Sequence, residues 1–162
     1  MAEHPNLPRH NHNATVRSVD ELISLDDSVT EIIIDNGISN SNFTVLDLSR
    51  FTRLRRLEIG NHCMSYVTTV NITGLAELES VTIGMNSFTK SKNGVNTIPY
   101  LDHHFYVKNC PKLKSLKIGH FSFSDYTVIE IENVDALEEI EFGAFAYYCA
   151  SLELTGILIH SA

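Results

Sequence analysis

Histidine, cysteine and clustered carboxylates are the groups that would have to carry any chemistry in this 162-residue chain. The histidines group twice, as His10-Asn11-His12 and as His103-His104. A specific zinc site needs about four convergent ligands on a fixed frame. Neither group supplies them, and the first lies in a polar, proline-containing stretch where adventitious binding is the expectation. The cysteines, Cys63, Cys110 and Cys149, are odd in number and share no short spacing, which argues against a disulfide framework or a thiolate cluster. Glu130, Glu132 and Glu153 are the acids that could serve a polysaccharide lyase or hydrolase, but nothing near them offers a general acid or a walled pocket. There is no Gly-x-Ser-x-Gly, no phosphate-cradling glycine loop and no His-Glu-x-x-His. The expectation is a non-catalytic chain with no cofactor and no metal.

The composition narrows the class further. Hydrophobic residues make up 43% and charged residues 20%, ordinary proportions for one globular domain of this length. Twenty acids against twelve bases give a formal charge of -8, which repels phosphate backbones, so no nucleic-acid partner is expected. No run approaches the roughly 20 apolar residues of a bilayer crossing, so no membrane insertion is expected. Met1-Ala2-Glu3-His4-Pro5 lacks the basic-then-apolar pattern of a secretory signal. With the cysteine usage, this points to a reducing, cytoplasmic compartment. A fragment of a longer chain would look the same, which leaves a cell-surface or extracellular place open. The Asn-x-Thr triplets at Asn13, Asn42 and Asn71 matter only in a secreted chain.

The elements that must position any site emerge from internal similarity. Leu54-Arg-Arg-Leu-Glu-Ile-Gly60, Leu78-Glu-Ser-Val-Thr-Ile-Gly84, Leu113-Lys-Ser-Leu-Lys-Ile-Gly119 and Leu137-Glu-Glu-Ile-Glu-Phe-Gly143 align without gaps, and Val29-Thr-Glu-Ile-Ile-Ile-Asp35 is a weaker fifth. Their starts are spaced by 25, 24, 35 and 24 residues. Each unit carries a second alternation: Leu46/Leu48/Phe51, Val70/Ile72/Leu75, Phe105/Val107/Cys110, Ile129/Ile131/Val134 and Leu152/Leu154/Ile157. Between the two lies a small-then-aromatic slot at Ser87-Phe88, Ser122-Phe123 and Ala146-Tyr147, with Cys63-Met64 irregular. Both alternations have period 2, and no stretch shows a helical apolar face, so each unit predicts strand, turn, strand, turn. The residue after each first strand is Gly60, Gly84, Gly119 or Gly143, and the second strand ends at Arg50, Gly74, Asn109, Asn133 or Gly156; Gly and Asn suit corners that need positive φ. Such units bury their apolar edges only by stacking. The expected fold is mainly β, a right-handed parallel solenoid of about five coils with two short strands each. Residues 1–15 are expected to be a mobile polar tail and 16–28 an N-terminal cap, with Val19, Leu22, Ile23 and Leu25 as its apolar positions. Residues 29–162 are expected to form the solenoid.

Leu-x-x-Leu-x-Ile-Gly-x-x-Ser-Phe, followed by an Ile-x-Ile-x-Asn strand and Leu, resembles leucine-rich repeats of the irregular protist and BspA-like kind, over about residues 29–159. The resemblance implies a leucine-rich-repeat solenoid whose task is to bind protein. The common form has Asn or Cys where this chain has Gly60, Gly84, Gly119 and Gly143, which favours a flatter, two-sheet coil over a curved horseshoe.

Stacked coils turn outward residues into columns. One runs Thr30, Arg55, Glu79, Lys114, Glu138, alternating in sign from Arg55 onward. A second runs Asp47, Asn71, Tyr106, Glu130, Glu153, beside Ser49, Thr73, Lys108, Glu132, Thr155. Arg55, Arg56, Glu58, Glu79, Lys114 and Lys117 are candidates for meeting a partner protein, or they support register on a wet surface. Glu130, Glu132 and Glu153 could attract a basic partner or a cation, or stand solvated without a ligand. The longest unit carries an insertion, expected as a projecting loop over 89–104. Ile98, Tyr100, Leu101, His103 and His104 are its candidate contacts, beside Lys90 and Lys92. Saccharide binding along the second sheet would need an aromatic platform, and Tyr106 alone offers one. The last coil has no evident cover, so Leu152, Leu154, Ile157 and Ile159 are expected to associate with another copy. The leading expectation is a non-catalytic protein-interaction module, and the alternative is a self-assembling module that stacks into oligomers or filaments.

Overall fold

The computed structural model describes residues 12–94, 100–144 and 151–155. It is mainly β with parallel sheets. In chain order the strands are β1 (Asn13–Val16), β2 (Glu31–Ile34), β3 (Val45–Asp47), β4 (Arg56–Ile59), β5 (Thr69–Thr73), β6 (Ser80–Ile83), β7 (Tyr100–Lys108), β8 (Ser115–Ile118), β9 (Tyr126–Glu132), β10 (Glu139–Phe142) and β11 (Ser151–Thr155). A short helix, α1 (Val19–Ile23), follows β1. The first sheet has the order β1-β2-β4-β6-β8-β10 and the second β11-β9-β7-β5-β3. From β2 onward the chain alternates between them, and all neighbours are parallel.

The five segments aligned by sequence become β2, β4, β6, β8 and β10 in one register. Ile32, Leu57, Val81, Leu116 and Ile140 are successive partners, as are Ile34, Ile59, Ile83, Ile118 and Phe142. Leu54, Leu78, Leu113 and Leu137 are all buried. The residue after each bonds the equivalent residue one repeat earlier, from Arg55 N–H to Thr30 O at 2.8 Å through Glu138 N–H to Lys114 O at 2.9 Å. In the second sheet Val70, Phe105 and Ile129 are partners in the inward row and Asn71, Tyr106 and Glu130 in the outward one, and the backbone register continues to Leu152 opposite Ile129 and Glu153 opposite Glu130. The core lies between the two inward faces.

The corner after each first-sheet strand has its own ladder. The Ser87 hydroxyl donates to Gly60 O at 2.8 Å and accepts from Cys63 N–H at 3.1 Å. Ser122 repeats this one unit on, donating to Gly84 O at 2.6 Å and accepting from Ser87 N–H at 3.0 Å. The aromatic half of the slot stacks, with the Phe88 and Phe123 rings 4.7 Å apart and 4° from parallel.

Three expectations are corrected. The tail does not extend to residue 15, nor does the cap begin at 16: β1 runs across that boundary and pairs with β2, and Thr30 N–H bonds His12 O at 2.9 Å; residues 1–11 lie outside the described region. The insertion is shorter than 89–104, because Tyr100–His104 belong to β7, which lengthens to pair Tyr100 with Tyr126 on β9. The first-strand glycines are not positive-φ corners. That conformation falls on Gly74, Asn109 and Asn133 as expected, and also on His62, Met64, Asn86, Phe88, Phe121 and Phe123. Gly60, Gly84, Gly119 and Gly143 serve close approach instead. A Cβ on Gly119 would lie 2.5 Å from Gly84 C and 2.6 Å from Met85 N, backbone atoms that cannot swing away.

In the cap, α1 buries Val19 and Leu22, while Ile23 faces solvent. Ser18 accepts from Glu21 N–H at 3.1 Å at its start. Arg50 gathers the carbonyls of Leu22, Ile23 and Leu25 at its end.

Gly119→Ala is expected to destabilise the chain by about 1–3 kcal/mol, the usual cost of overpacking. It should lower the midpoint of urea unfolding clearly, and an unchanged midpoint would refute the close-approach reading.

Candidate interaction surfaces

On the first sheet the structure brings the expected charges together, and they pair with one another. Arg55 lies 3.4 Å from Glu79; Arg56 is 2.7 Å from Glu58 and 3.8 Å from Glu31; Lys117 is 3.2 Å from Glu139. These side chains are exposed or half-exposed, so each pair contributes about 0–1 kcal/mol. Their arrangement matches register support, and a partner would have to compete with the existing pairs. Lys114, between Glu79 and Glu138 in the column, forms no ion pair among the described residues.

On the second sheet the outward face is stepped. Thr69, Asn71 and Thr73 of β5, with Val45 and Asp47 of β3, form a low floor beside the taller Tyr106 and Lys108 of β7, enclosing a concavity of about 420 Å³. Asp47 accepts from Ser49 N–H at 3.0 Å and Asn71 Nδ2 at 3.2 Å, and the bond from Ser49 holds its carboxyl below the usual carboxylate range. Tyr106 is not an open platform. His104 stacks on it with ring centres 5.6 Å apart, and Lys108 Nζ stands over the ring at 4.8 Å. Residues two before and two after flank a strand residue on its own face, so both faces of the Tyr106 ring are taken and its edge meets the groove. The acidic patch is also partly answered: Lys108 Nζ lies 2.5 Å from Glu130 and 3.6 Å from Glu132. The bond to Glu130 raises the lysine pKa.

The insertion is pinned at its root by a residue that sequence reasoning missed. Asp125, 2% exposed, accepts from the Thr89 hydroxyl at 2.9 Å and Lys90 N–H at 2.8 Å. Lys92 Nζ donates to Thr89 O, Asn86 O and Ser65 Oγ at 2.8–3.1 Å, and burial lowers its pKa. The available signal was indirect: the insertion adds a basic Lys90-Ser-Lys92 at a corner, and Asp125 is the acid at the equivalent corner one repeat later. His103 and His104 do not project. His103 is half-buried, edge-on to Tyr126 at 5.2 Å, and burial lowers its pKa. Tyr100 and Leu101 are strand residues, and Ile98 lies outside the described residues.

Cys63 and Cys110 are buried free thiols whose pKa burial raises, the opposite of an activated nucleophile. Among the described residues no group of three or more His, Cys, Asp or Glu is placed to hold a metal ion, and no helix is long and apolar enough to cross a membrane. Of the expected association residues, Leu152 and Leu154 are paired by backbone with Ile129 and Ile131, and Ile157 and Ile159 lie outside the described residues. No protein-family model, curated protein or solved structure matches this chain, so the leucine-rich-repeat resemblance rests on its own residues.

Two outcomes are expected. Asp125→Ala strands Lys90 N–H, while the Thr89 hydroxyl keeps Ser91 O at 3.2 Å; the change costs about 1–3 kcal/mol and speeds tryptic cleavage after Lys90, and unchanged cleavage would show that the anchor is idle. Because the folded value of His103 lies below its ordinary 6.5, the unfolded chain binds more protons between the two values. This residue therefore leaves stability unaffected near pH 8 and subtracts from it as pH falls through 6.5 toward the folded value. Urea midpoints measured from pH 8 to 5 should drop less in His103→Gln than in the parent.

Proposed function

We propose that this chain is a right-handed solenoid of leucine-rich-repeat type that holds a rigid, non-catalytic surface for a protein partner. The observation that carries this reading is the shared register of β2 through β11. Outward columns repeat from strand to strand, and a sheet bonded on both sides keeps its outer side chains at fixed spacing without ligand-induced ordering. The stepped outer face of the second sheet supports it, since a shallow, mixed-polarity surface suits a protein more than a reacting small molecule. The partner would meet either the Arg55, Glu79, Lys114 file or the insertion and its flanks. A pull-down read by mass spectrometry is expected to return a protein that Arg56→Glu or Tyr100→Ala loses. Prey retained by both variants would remove both faces.

A second reading, end-to-end assembly into oligomers or filaments, is favoured by one observation. Ile140 on the outermost strand β10 is 38% exposed, whereas its partners in the same row, Ile32, Leu57, Val81 and Leu116, are at most 1% exposed. Glu138, Glu139 and Glu141 surround it, and acids also crowd α1 at the other end, so association should strengthen as salt screens like charges. Light scattering is expected to show a mass that rises with chain concentration and with salt, and Ile140→Lys should cancel the rise. A constant mass would eliminate this reading.

A further inference from the structure

The two sheets are unequal. Among the described residues the first holds six strands and the second five, and the shortfall lies beside β3. After β1, in the first sheet, the chain does not visit the second. It forms α1 and returns to the first sheet as β2. A helix satisfies its own backbone and has no ladder to offer a neighbouring strand, so β3 keeps an open side. Parallel pairing engages alternate residues. Thr44 O and Leu48 N–H face β5, bonding Thr68 N–H at 2.8 Å and Asn71 O at 3.0 Å. The N–H and C=O groups of Val45 and Asp47 therefore point away from β5, toward the helix.

What lies there is a cleft of about 180 Å³ between α1 and β3, lined by Leu22, Ile23, Phe43, Val45 and Asp47. Ile23 at 58% and Val45 at 50% are the two most exposed large apolar side chains among the described residues. The rim is acidic: Asp47 lines the cleft, and Asp26 and Asp27 lie against Arg50, which lines it too. Among the described residues Arg50 is the one base lining the cleft, and it is already paired with Asp27 and the carbonyls at the helix end.

We propose that this vacancy receives an extended, basic segment of a partner protein, which adds as a strand beside β3. Its apolar side chains fill the cleft against Ile23, and its alternating Lys or Arg face Asp47, Asp26 and Asp27. Main-chain bonds supply the affinity and the alternation supplies the choice of sequence. A second copy fits poorly, because the strands at the opposite ends of the two sheets are acidic in sequence, with Glu139 and Glu141 in β10 and Glu153 in β11. The chain's own leading residues contain Pro5 and Pro8, which cannot donate to a ladder. The site uses neither the outer face of the first sheet nor the insertion, so it stands or falls apart from the function proposed above.

The test uses the full chain and a fluorescent peptide of alternating Lys and Val, seven residues long, followed by anisotropy at low salt. Saturable binding is expected, with none for the matching peptide of alternating Glu and Val. Val45→Pro removes an N–H only on the open side, where an edge strand tolerates proline. It should weaken binding by about tenfold or more while circular dichroism shows an unchanged melting curve. Ile23→Lys, at a solvent-facing position, should weaken it similarly and serves if Val45→Pro does not fold. Absence of saturation, equal binding of the Glu peptide, or unchanged affinity in the variants would overturn the proposal. So would self-association that Val45→Pro abolishes, which assigns the vacancy to a second copy, or binding that appears only after deletion of residues 1–11, which assigns it to the chain itself.

Discussion

Parallel strands in register, roughly 4.8 Å apart, impose one condition on every position from β2 to β11: its neighbours in the stack are its own equivalents from the adjoining repeats. Inward positions must accept apolar side chains of matching size, and Leu57, Val81 and Leu116 do so. Corner positions must either bond their equivalents or stay out of their way. Ser87 and Ser122 do the first, each hydroxyl bridging two layers. Gly84 and Gly119 do the second, because the layer beneath comes closer than a Cβ permits. An unmatched polar group in such a corner would lose about 1–3 kcal/mol, and in a stack the mismatch would be felt on both sides.

The same condition shapes the outer surface. Charges that repeat in columns either repel or pair, and on the first sheet the Arg55, Glu79 and Lys117, Glu139 contacts show pairing. On the second sheet Lys108 reaches both Glu130 and Glu132, so what reads as an acidic patch in one dimension is a mixed cluster in three. Tyr106 undergoes a similar change of meaning, since a ring that looks like a platform in the sequence is sandwiched by the side chains two residues to either side.

Where the repeat breaks, local structure takes over. The long unit is accommodated by lengthening β7 and β9 together and by anchoring the insertion's root on Asp125. At the N-terminal side β1 extends one sheet, while α1 packs Leu22 onto the core without extending the other. Both devices preserve the stack, and both leave irregular surface: a pinned corner in one place and, among the described residues, a strand edge without a neighbouring strand in the other.

The period, the two strands per unit and the outward columns of both sheets were legible in the residues alone, because alternation at spacing 2 and recurrence every two dozen residues are one-dimensional properties. Asp47, Asn71, Tyr106, Glu130 and Glu153 could be written in order before any contact was known. The beginning of the first sheet at Asn13, the strand character of Tyr100 to His104, the reason for the corner glycines and the burial of Asp125 were not legible. Each depends on which atoms from distant repeats meet and how closely their backbones approach. Recurrence along the chain specifies what stacks on what; which charges cancel, which corners fill and which edge the described strands leave open follow from distances across the stack, and those arise only when remote repeats meet.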